Sequence, residues 1–337
     1  MPEPVSLTST PSIAARSLGR LLGIETLTFK LESVQPTGSW LDRSAAVVVR
    51  EAAGCGWTGL GVVGLGAPTV SLAVQCARAG LRMVVLMPFA SGCVPIAHPG
   101  VGAGALWLDA LGVQFVAVDA AEPDVHLTAP ASFRQAGLLP VPPDDPMLGA
   151  GLLEVLGEVD SAGNHDSLLA VPALTGHEAP WLRTAADARA GTMPLPLDGV
   201  AASSQSRAFA ILGTLGGVGN ESAPGDPVMT MAVSEREADA ARRLLAREEG
   251  ILASRQGAVA FAAFVRALRE DRAKRPRERR LREVKSVVAI VTGDAPGSGD
   301  APQSAADRVP GRVVRLDDLA GGLTRVLAAP PGRGPMA

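Results

Sequence analysis

Short apolar runs alternate along the chain with segments in which apolar residues recur every three or four positions. Such alternation is typical of strands that cross over through helices into a parallel sheet. The predicted strands are residues 27–32, 59–64, 81–87, 113–118, 167–171, 228–233 and 287–291. The pattern therefore predicts an α/β fold.

Helical spacing fills most of the intervals between these strands. The predicted helices are residues 40–54, 69–79, 104–111, 147–159, 206–215, 235–249, 258–269 and 316–327. The clearest is 235–249, because Ser234 and Glu237 form a capping box and Gly250 supplies a left-handed stop. The remaining segments are predicted to be irregular, namely 120–146, 172–198 and 295–311, followed by a disordered tail at 329–337.

The charge balance is nearly even, because 31 basic and 34 acidic side chains leave a net charge of -3. A net charge this small produces only a weak electrostatic field, so we expect the protein to bind neither nucleic acid nor an anionic membrane. The basic run at 266–285 is interleaved with acidic residues and is interpreted as a solvated helix. Without a signal pattern or a long apolar stretch, we expect a cytoplasmic protein.

Cysteine and histidine spacing predicts neither a disulfide framework nor a metal site. The cysteines are Cys55, Cys76 and Cys93. They are odd in number and have no C-x-x-C spacing, which suits a reducing compartment. The histidines outside the candidate site are His98, His126 and His165. They show no metal-ligand spacing, so no metal is expected.

One motif carries a family resemblance. Residues 29–49 read FKLESVQPTGSWLDRSAAVVV, which resembles the threonine synthase signature of a strand ending in Glu followed by Pro-Thr-Gly-Ser-Phe-Lys-Asp-Arg. The positions that match in register are Lys30, Glu32, Pro36, Thr37, Gly38, Ser39, Asp42 and Arg43. The resemblance extends from residue 10 to residue 293 through the stretches SLAVQCARAGLRMVVLMP, LLAREEGILAS and VVAIVTG.

This resemblance implies the architecture of fold-type II pyridoxal-phosphate enzymes of the tryptophan synthase β superfamily. Each of two lobes is then expected to contain a mainly parallel sheet flanked by helices. The larger lobe is predicted to comprise residues 1–39 and 126–328, and the smaller lobe residues 40–125. A homodimer is also expected from the resemblance.

The motif departs from the family at the residue that holds the cofactor. In the family a lysine of this motif forms a Schiff base with the aldehyde of pyridoxal phosphate, and a Schiff base requires a primary amine. The corresponding residue here is Leu41. Lys30 matches a family lysine that does not hold the cofactor, and Lys274 and Lys285 lie in the charged helical region. We therefore expect the chain to bind no cofactor.

Three further cofactor contacts depart from the family pattern. Ala67 replaces the asparagine that meets the ring hydroxyl, and residues 253–256 (ASRQ) replace the family's Glu-Pro-Ser-Ser segment and lose its acidic residue. The glycine-rich phosphate cradle aligns with residues 172–180, where prolines and side chains occupy the glycine positions. We expect that its backbone N–H groups no longer close around a phosphate. Only Thr292 keeps the type of the family residue that faces the pyridine nitrogen.

Polar residues in these segments are the candidates for chemistry. His177 beside Glu178 at the end of a parallel strand suits general acid/base work, and Arg255 suits orientation of a carboxylate or carbonyl. The predicted catalytic residues are His177, Glu178 and Arg255. The predicted substrate-binding residues are Trp40, Leu41, Leu65, Ala67, Thr69, Thr175, Gln256 and Thr292. The alternatives are a surface position for His177 and Arg255, and a pocket collapsed onto its apolar side chains.

The residues leave more than one function open. One hypothesis is a pyridoxal-phosphate-independent biosynthetic enzyme that promotes a cyclisation, elimination or related lyase step on an apolar intermediate, as in natural-product biosynthesis. The alternative is a pseudoenzyme that stabilises or regulates a partner such as an active paralogue. Noncovalent sensing of a small metabolite is a third possibility. A threonine synthase activity is not expected.

Overall fold

The computed structural model describes residues 9–89, 107–164, 166–189, 210–216, 226–274, 281, 284–293 and 312–328. Within these ranges the strands are β1 (Ser12–Ala14), β2 (Thr26–Leu31), β3 (Gly59–Val63), β4 (Arg82–Phe89), β5 (Gln114–Asp119), β6 (Leu138–Pro140), β7 (Leu168–Pro172), β8 (Ala210–Leu215), β9 (Val228–Val233), β10 (Ser286–Val291) and β11 (Arg312–Arg315). The helices are α1 (Arg16–Leu22), α2 (Leu41–Gly54), α3 (Pro68–Ala79), α4 (Glu122–Gln135), α5 (Met147–Ser161), α6 (Glu178–Arg189), α7 (Glu235–Glu249), α8 (Val259–Ala273) and α9 (Leu319–Ala328). The chain divides into two compact units.

The six-stranded unit is formed by the described residues of 9–40 and 149–293. Its strand order is β1-β2-β10-β7-β8-β9, and every neighbouring pair is parallel except β1 with β2. Helix α8 supplies two fully buried aromatic side chains, Phe261 and Phe264, to the core of this unit. The ring of Phe261 meets that of Phe29 edge to face at a centroid distance of 5.4 Å. Gly213 of β8 lies so close to α8 that a Cβ there would come within 2.8 Å of the Ala263 Cβ.

The five-stranded unit is formed by residues 41–148 and 312–328, except for those outside the described ranges. Its strand order is β11-β5-β4-β3-β6, and all its neighbouring pairs are parallel. The central strands bury apolar side chains such as Val84, Leu86 and Val116. Phe133 of α4 lies directly over Gly61, where any larger residue would collide with its ring.

The predicted α/β class with mainly parallel sheets is confirmed. The predicted helix at 206–215 is wrong, because β8 occupies Ala210–Leu215 between two parallel neighbours. A strand buried on both faces has a continuous apolar sequence, which periodicity alone does not distinguish from a buried helix. Two segments predicted to be irregular contain the helices α4 and α6, and β11 lies at 312–315, between the predicted loop and the predicted last helix, where no element was predicted.

The division into units also differs from the predicted lobes. The first boundary lies after residue 40, one residue from its predicted position, but the second lies after residue 148 instead of residue 125. The reason is that α4 and β6 pack on the five-stranded sheet, where β6 pairs with β3. The C-terminal segment also joins this unit, since β11 pairs with β5. The predicted tail at 329–337 lies outside the described residues.

Candidate functional site

The candidate site in the six-stranded unit lies where parallel strands end. The neighbouring strands β2, β10 and β7 run in the same direction, so the loops that follow them share one edge of the sheet. The N–H of Gly293, after β10, donates to the carbonyl of Gly38, after β2, at 2.7 Å. The side-chain amide of Gln256 donates to the carbonyl of Ala173, after β7, at 2.8 Å. We call this region the carboxyl edge.

The loop after β7 closes around a carboxylate of the protein itself. Oε1 of Glu178 accepts from the N–H groups of Leu174 at 2.7 Å and Thr175 at 2.6 Å, and from the Thr175 hydroxyl at 3.1 Å. Oε2 accepts from the N–H of Gly176 at 3.0 Å. The Glu178 side chain is fully buried at the first residue of α6. Three consecutive N–H groups pointing at one anion form a backbone nest.

This geometry differs from what the sequence led us to expect of residues 172–180. The backbone N–H groups do converge, but on the carboxylate of Glu178. Gly176, with φ +83°, provides the left-handed conformation that turns its N–H toward the carboxylate. Each hydrogen bond to a charged acceptor contributes about 1.5–3 kcal/mol, so the carboxylate is a structural centre of the loop.

His177 and Thr175 lie in the same loop. The backbone N–H of His177 donates to the Thr175 hydroxyl at 3.1 Å, and this hydroxyl donates in turn to Glu178. His177 is half-buried. The structure thus brings these three sequence-predicted residues together, with Glu178 engaged by the loop. A catalytic role for His177 stays a prediction.

Arg255 is directed toward helix α7. Its guanidinium donates to the carboxylate of Asp239 at 3.2 Å and to that of Glu235 at 3.3 Å. About half of the arginine side chain is exposed. The guanidinium holds the pKa of the Asp239 carboxyl below its ordinary value, because it donates to the charged form. Of the two interpretations of Arg255, this contact favours the surface position.

Gly257 and Thr292 approach each other closely at the carboxyl edge. A Cβ at Gly257 would overlap the carbonyl oxygen of Thr292, and the Ser254 hydroxyl accepts from the Gly257 N–H at 2.8 Å. Thr292 is 1 % exposed, and its hydroxyl has no hydrogen-bond partner within the described chain. A buried hydroxyl without a partner costs about 1–3 kcal/mol. Such a group is a candidate for ligand recognition.

Trp40 is the last residue of the N-terminal segment that belongs to this unit. Its ring is fully buried and meets that of Trp181 edge to face, with centroids 6.3 Å apart. The indole Nε1 has no hydrogen-bond partner among the described residues. Both rings therefore serve the core, while the indole N–H is a second unsatisfied donor.

The other predicted binding residues belong to the five-stranded unit. Leu41 begins α2 and is 1 % exposed. Thr69 in the first turn of α3 is buried, and its N–H donates to the carbonyl of Gly66 at 3.0 Å. Ala67 precedes α3 and is exposed, whereas Leu65 is half-buried. Leu41 and Thr69 are thus packed side chains, and a substrate role for these four residues stays a prediction.

None of the three lysines of the chain follows the carboxyl ends of the strands. The Nζ of Lys30, on β2, lies 2.5 Å from the Glu158 carboxylate and donates to the carbonyl of Thr10 at 2.6 Å. Lys274 lies just after the C-terminal end of α8. Lys285 immediately precedes β10, at the end of that strand opposite to Thr292. Six strand residues separate them, a span of about 20 Å.

No group of three or more metal-binding side chains occurs among the residues that the structure describes. Cys55 is exposed, and Cys76 is buried in α3, where desolvation raises the pKa of its thiol to about 12. Cys93, His98 and His165 lie outside the described residues. In the described part of the chain, no helix has the length and apolar character that crossing a bilayer requires.

Comparison with known proteins shows which proteins the chain is similar to. Residues 6–163 match the family described as pyridoxal-phosphate dependent enzymes. The chain is 35% identical over 88 residues to threonine synthase of Methanosarcina acetivorans, covering 26% of this chain and 22% of that protein. It is 38% identical over 79 residues to threonine synthase of Methanocaldococcus jannaschii, covering 23% and 20%. The matched segments thus span about a fifth of these relatives' length.

Solved structures match over nearly the whole chain. Maize serine racemase superposes with a TM-score of 0.61 at 15% identity, covering 86% of this chain and 88% of that one. The processed form of threonine deaminase isoform 2 from Solanum lycopersicum gives 0.59 at 17% identity, covering 96% and 89%. The resemblance inferred from the sequence is therefore confirmed. Residues 6–163 match the pyridoxal-phosphate dependent enzyme family, and the chain shares the fold of these solved structures.

Proposed function

We propose that this chain works without pyridoxal phosphate, as a catalytically inactive relative of fold-type II enzymes that stabilises or regulates a partner protein such as an active paralogue. The observation that carries this proposal is the placement of the amines. An internal aldimine needs a lysine at the reacting carbon. Lys274 and Lys285 lie away from the carboxyl edge, and Lys30, one residue before the end of β2, is held by Glu158.

Each lysine is also unsuited to the task in its own way. Lys30 is buried in an ion pair with Glu158. Lys285 is largely exposed and lies 3.6 Å from the Glu25 carboxylate. Lys274 follows the last turn of α8, whose first turn adjoins the Gly257 loop, and fifteen helical residues span about 22 Å. At the family's lysine position stands Leu41, which has no amine.

The loop after β7 gives a second reason. The N–H groups that the family resemblance assigns to the cofactor phosphate already bond to Glu178. A phosphate in this place would have to displace a buried carboxylate and would meet its negative charge. The residues of this chain therefore do not fit pyridoxal phosphate.

The same contacts favour a binding role over catalysis. A general base must reach a substrate proton, but Glu178 is fully buried and accepts four hydrogen bonds. Arg255, proposed to orient a substrate, is instead neutralised by two carboxylates of α7. Glu178 is thus engaged in holding its loop, and Arg255 in ion pairs at the surface.

A cofactor-independent enzyme acting on an apolar intermediate is the second candidate. It is favoured by two buried polar groups that have no hydrogen-bond partner among the described residues of the six-stranded unit, the Thr292 hydroxyl and the Trp40 indole N–H. Unsatisfied groups of this kind cost stability and are found where a ligand completes the hydrogen bonding. In this case they would orient the intermediate for a cyclisation or elimination.

Complementation distinguishes the two candidates. Cells lacking the gene are supplied with the wild-type chain or with the double variant His177→Gln/Arg255→Gln, and the amount of protein is checked by immunoblotting. A binding role predicts that the double variant restores the phenotype, since neither side chain holds the core. Loss of complementation at equal protein levels would favour the enzyme. Thr292→Val, which removes only the unpartnered hydroxyl, is the matched test of that second candidate.

A further inference from the structure

The anion that the loop after β7 binds is a side chain of the protein itself, the carboxylate of Glu178. The N–H groups of Leu174, Thr175 and Gly176 are consecutive, and all three point at the Glu178 carboxylate within 3.0 Å. The loop follows a parallel strand and precedes a helix, so the partial positive charge of the N-terminus of α6 reinforces the nest. Such an arrangement stabilises any anion of suitable size.

We propose that the Glu178 carboxylate takes the place of the cofactor phosphate as a built-in anion, which keeps the loop closed and excludes phosphate-bearing ligands. The inference rests on the proposed function, because a nest that is occupied by the Glu178 carboxylate cannot also hold a cofactor phosphate. It adds that the nest remains competent to bind an anion. Removing the carboxylate should therefore convert it into a site for a free phosphate.

The carboxylate is well suited to this role and poorly suited to any other. Oε1 accepts three hydrogen bonds, which uses the capacity of that oxygen, and the Thr175 hydroxyl closes the ring of donors. The side chain has no exposure to solvent from which a substrate or a proton could approach. The loop is tied further to the sheet, because the Ala173 N–H donates to the carbonyl of Gly213 at 2.8 Å.

Glu178→Ala tests the proposal, with Glu235→Ala as the matched control. Glu235 also occupies the first position of a helix, but it is exposed and accepts from no loop N–H in the described part of the chain. The probe is inorganic phosphate, compared with chloride at equal ionic strength, and the readout is the midpoint of thermal unfolding. We expect Glu178→Ala to lower the midpoint by roughly 4–10 °C, because three N–H groups lose their acceptor. Phosphate should recover part of this loss.

The wild-type chain and Glu235→Ala should respond to phosphate no more than to chloride. The proposal is overturned if Glu178→Ala melts within about 1 °C of the wild type, or if phosphate stabilises both equally. Should Glu178→Ala not fold, Glu178→Ser replaces it, since its short side chain also removes the carboxylate and leaves the nest open to phosphate. Absence of a phosphate effect in that variant also overturns the proposal. An aldimine in the wild type would instead contradict the proposed function.

Discussion

Lys30 is predicted to stabilise the fold and not to hold a cofactor. Substituting it by methionine keeps the aliphatic stem and removes the ammonium group that bonds to Glu158 and to the carbonyl of Thr10. The network continues beyond these contacts, because the Thr10 hydroxyl donates to Glu32 at 2.5 Å. The change therefore leaves the Glu158 carboxylate and the Thr10 carbonyl without the ammonium group, next to the paired strands β1 and β2.

The burial of the pair sets the size of the effect. The Lys30 side chain is 3% exposed and that of Glu158 is 22% exposed. Removing one partner of a buried pair costs about 3–5 kcal/mol, and the access of water to Glu158 lowers this to about 2–4 kcal/mol. Lys285→Met is the matched control. Its pair with Glu25 is 74% and 68% exposed, so its loss should cost at most about 1 kcal/mol.

Urea denaturation followed by tryptophan fluorescence measures both variants. Trp40 and Trp181 lie in the same unit as Lys30 and report on its unfolding. The predicted result is a clearly lower midpoint for Lys30→Met and a nearly unchanged one for Lys285→Met. Equal midpoints for Lys30→Met and the wild type would refute the structural role of Lys30.

Two further outcomes are expected for the six-stranded unit. Gly257→Ala should lower the free energy of unfolding by about 1–3 kcal/mol in a denaturation assay, because its Cβ meets the Thr292 carbonyl. The control Gly157→Ala places its Cβ in open space and should raise the free energy of unfolding by about 0.5–1 kcal/mol. Equal effects of the two substitutions would contradict the close approach of Gly257 to Thr292. Ser234→Ala should cost about 0.5–2 kcal/mol at neutral pH. Because the Ser234 hydroxyl lowers the pKa of Glu237, this stabilisation is complete above the ordinary glutamate pKa and is lost as the pH falls through the folded value. The stability difference between wild type and Ser234→Ala should therefore shrink below about pH 4, and a constant difference would contradict the capping box.

Elements with local signals could be predicted from the sequence, and those fixed by tertiary context could not. Helix α7 matches its predicted bounds, because the capping box at Ser234 and the left-handed Gly250 mark both ends. Strand β8 was predicted as a helix, since AILGTL carries no alternation when both neighbours are parallel strands. Helix α6 lies in the segment 172–198, which its proline and glycine content predicted to be irregular, but its Pro180 stands in the first turn, where proline is tolerated.

In the candidate site too, some features could be predicted from the sequence and others depend on tertiary contacts. The loss of the lysine at Leu41 is visible in the sequence, because it depends on one residue in a long motif. The role of Glu178 is not, since it depends on the backbone conformation at Gly176 and on three converging N–H groups. The only local signal was the Thr-x-x-Glu spacing from Thr175 to Glu178, which is typical of a helix start. Arg255 likewise contacts residues sixteen and twenty positions away, which no local pattern encodes.

Titration of the purified wild-type chain with pyridoxal phosphate addresses the loss of cofactor chemistry. Visible absorption detects an internal aldimine, and borohydride reduction followed by peptide mass spectrometry locates any lysine that carries the coenzyme. We predict no saturable aldimine band and no stoichiometric adduct on Lys30, Lys274 or Lys285. A band that saturates at one coenzyme per chain, with a single modified lysine, would contradict the proposal that this fold works without pyridoxal phosphate.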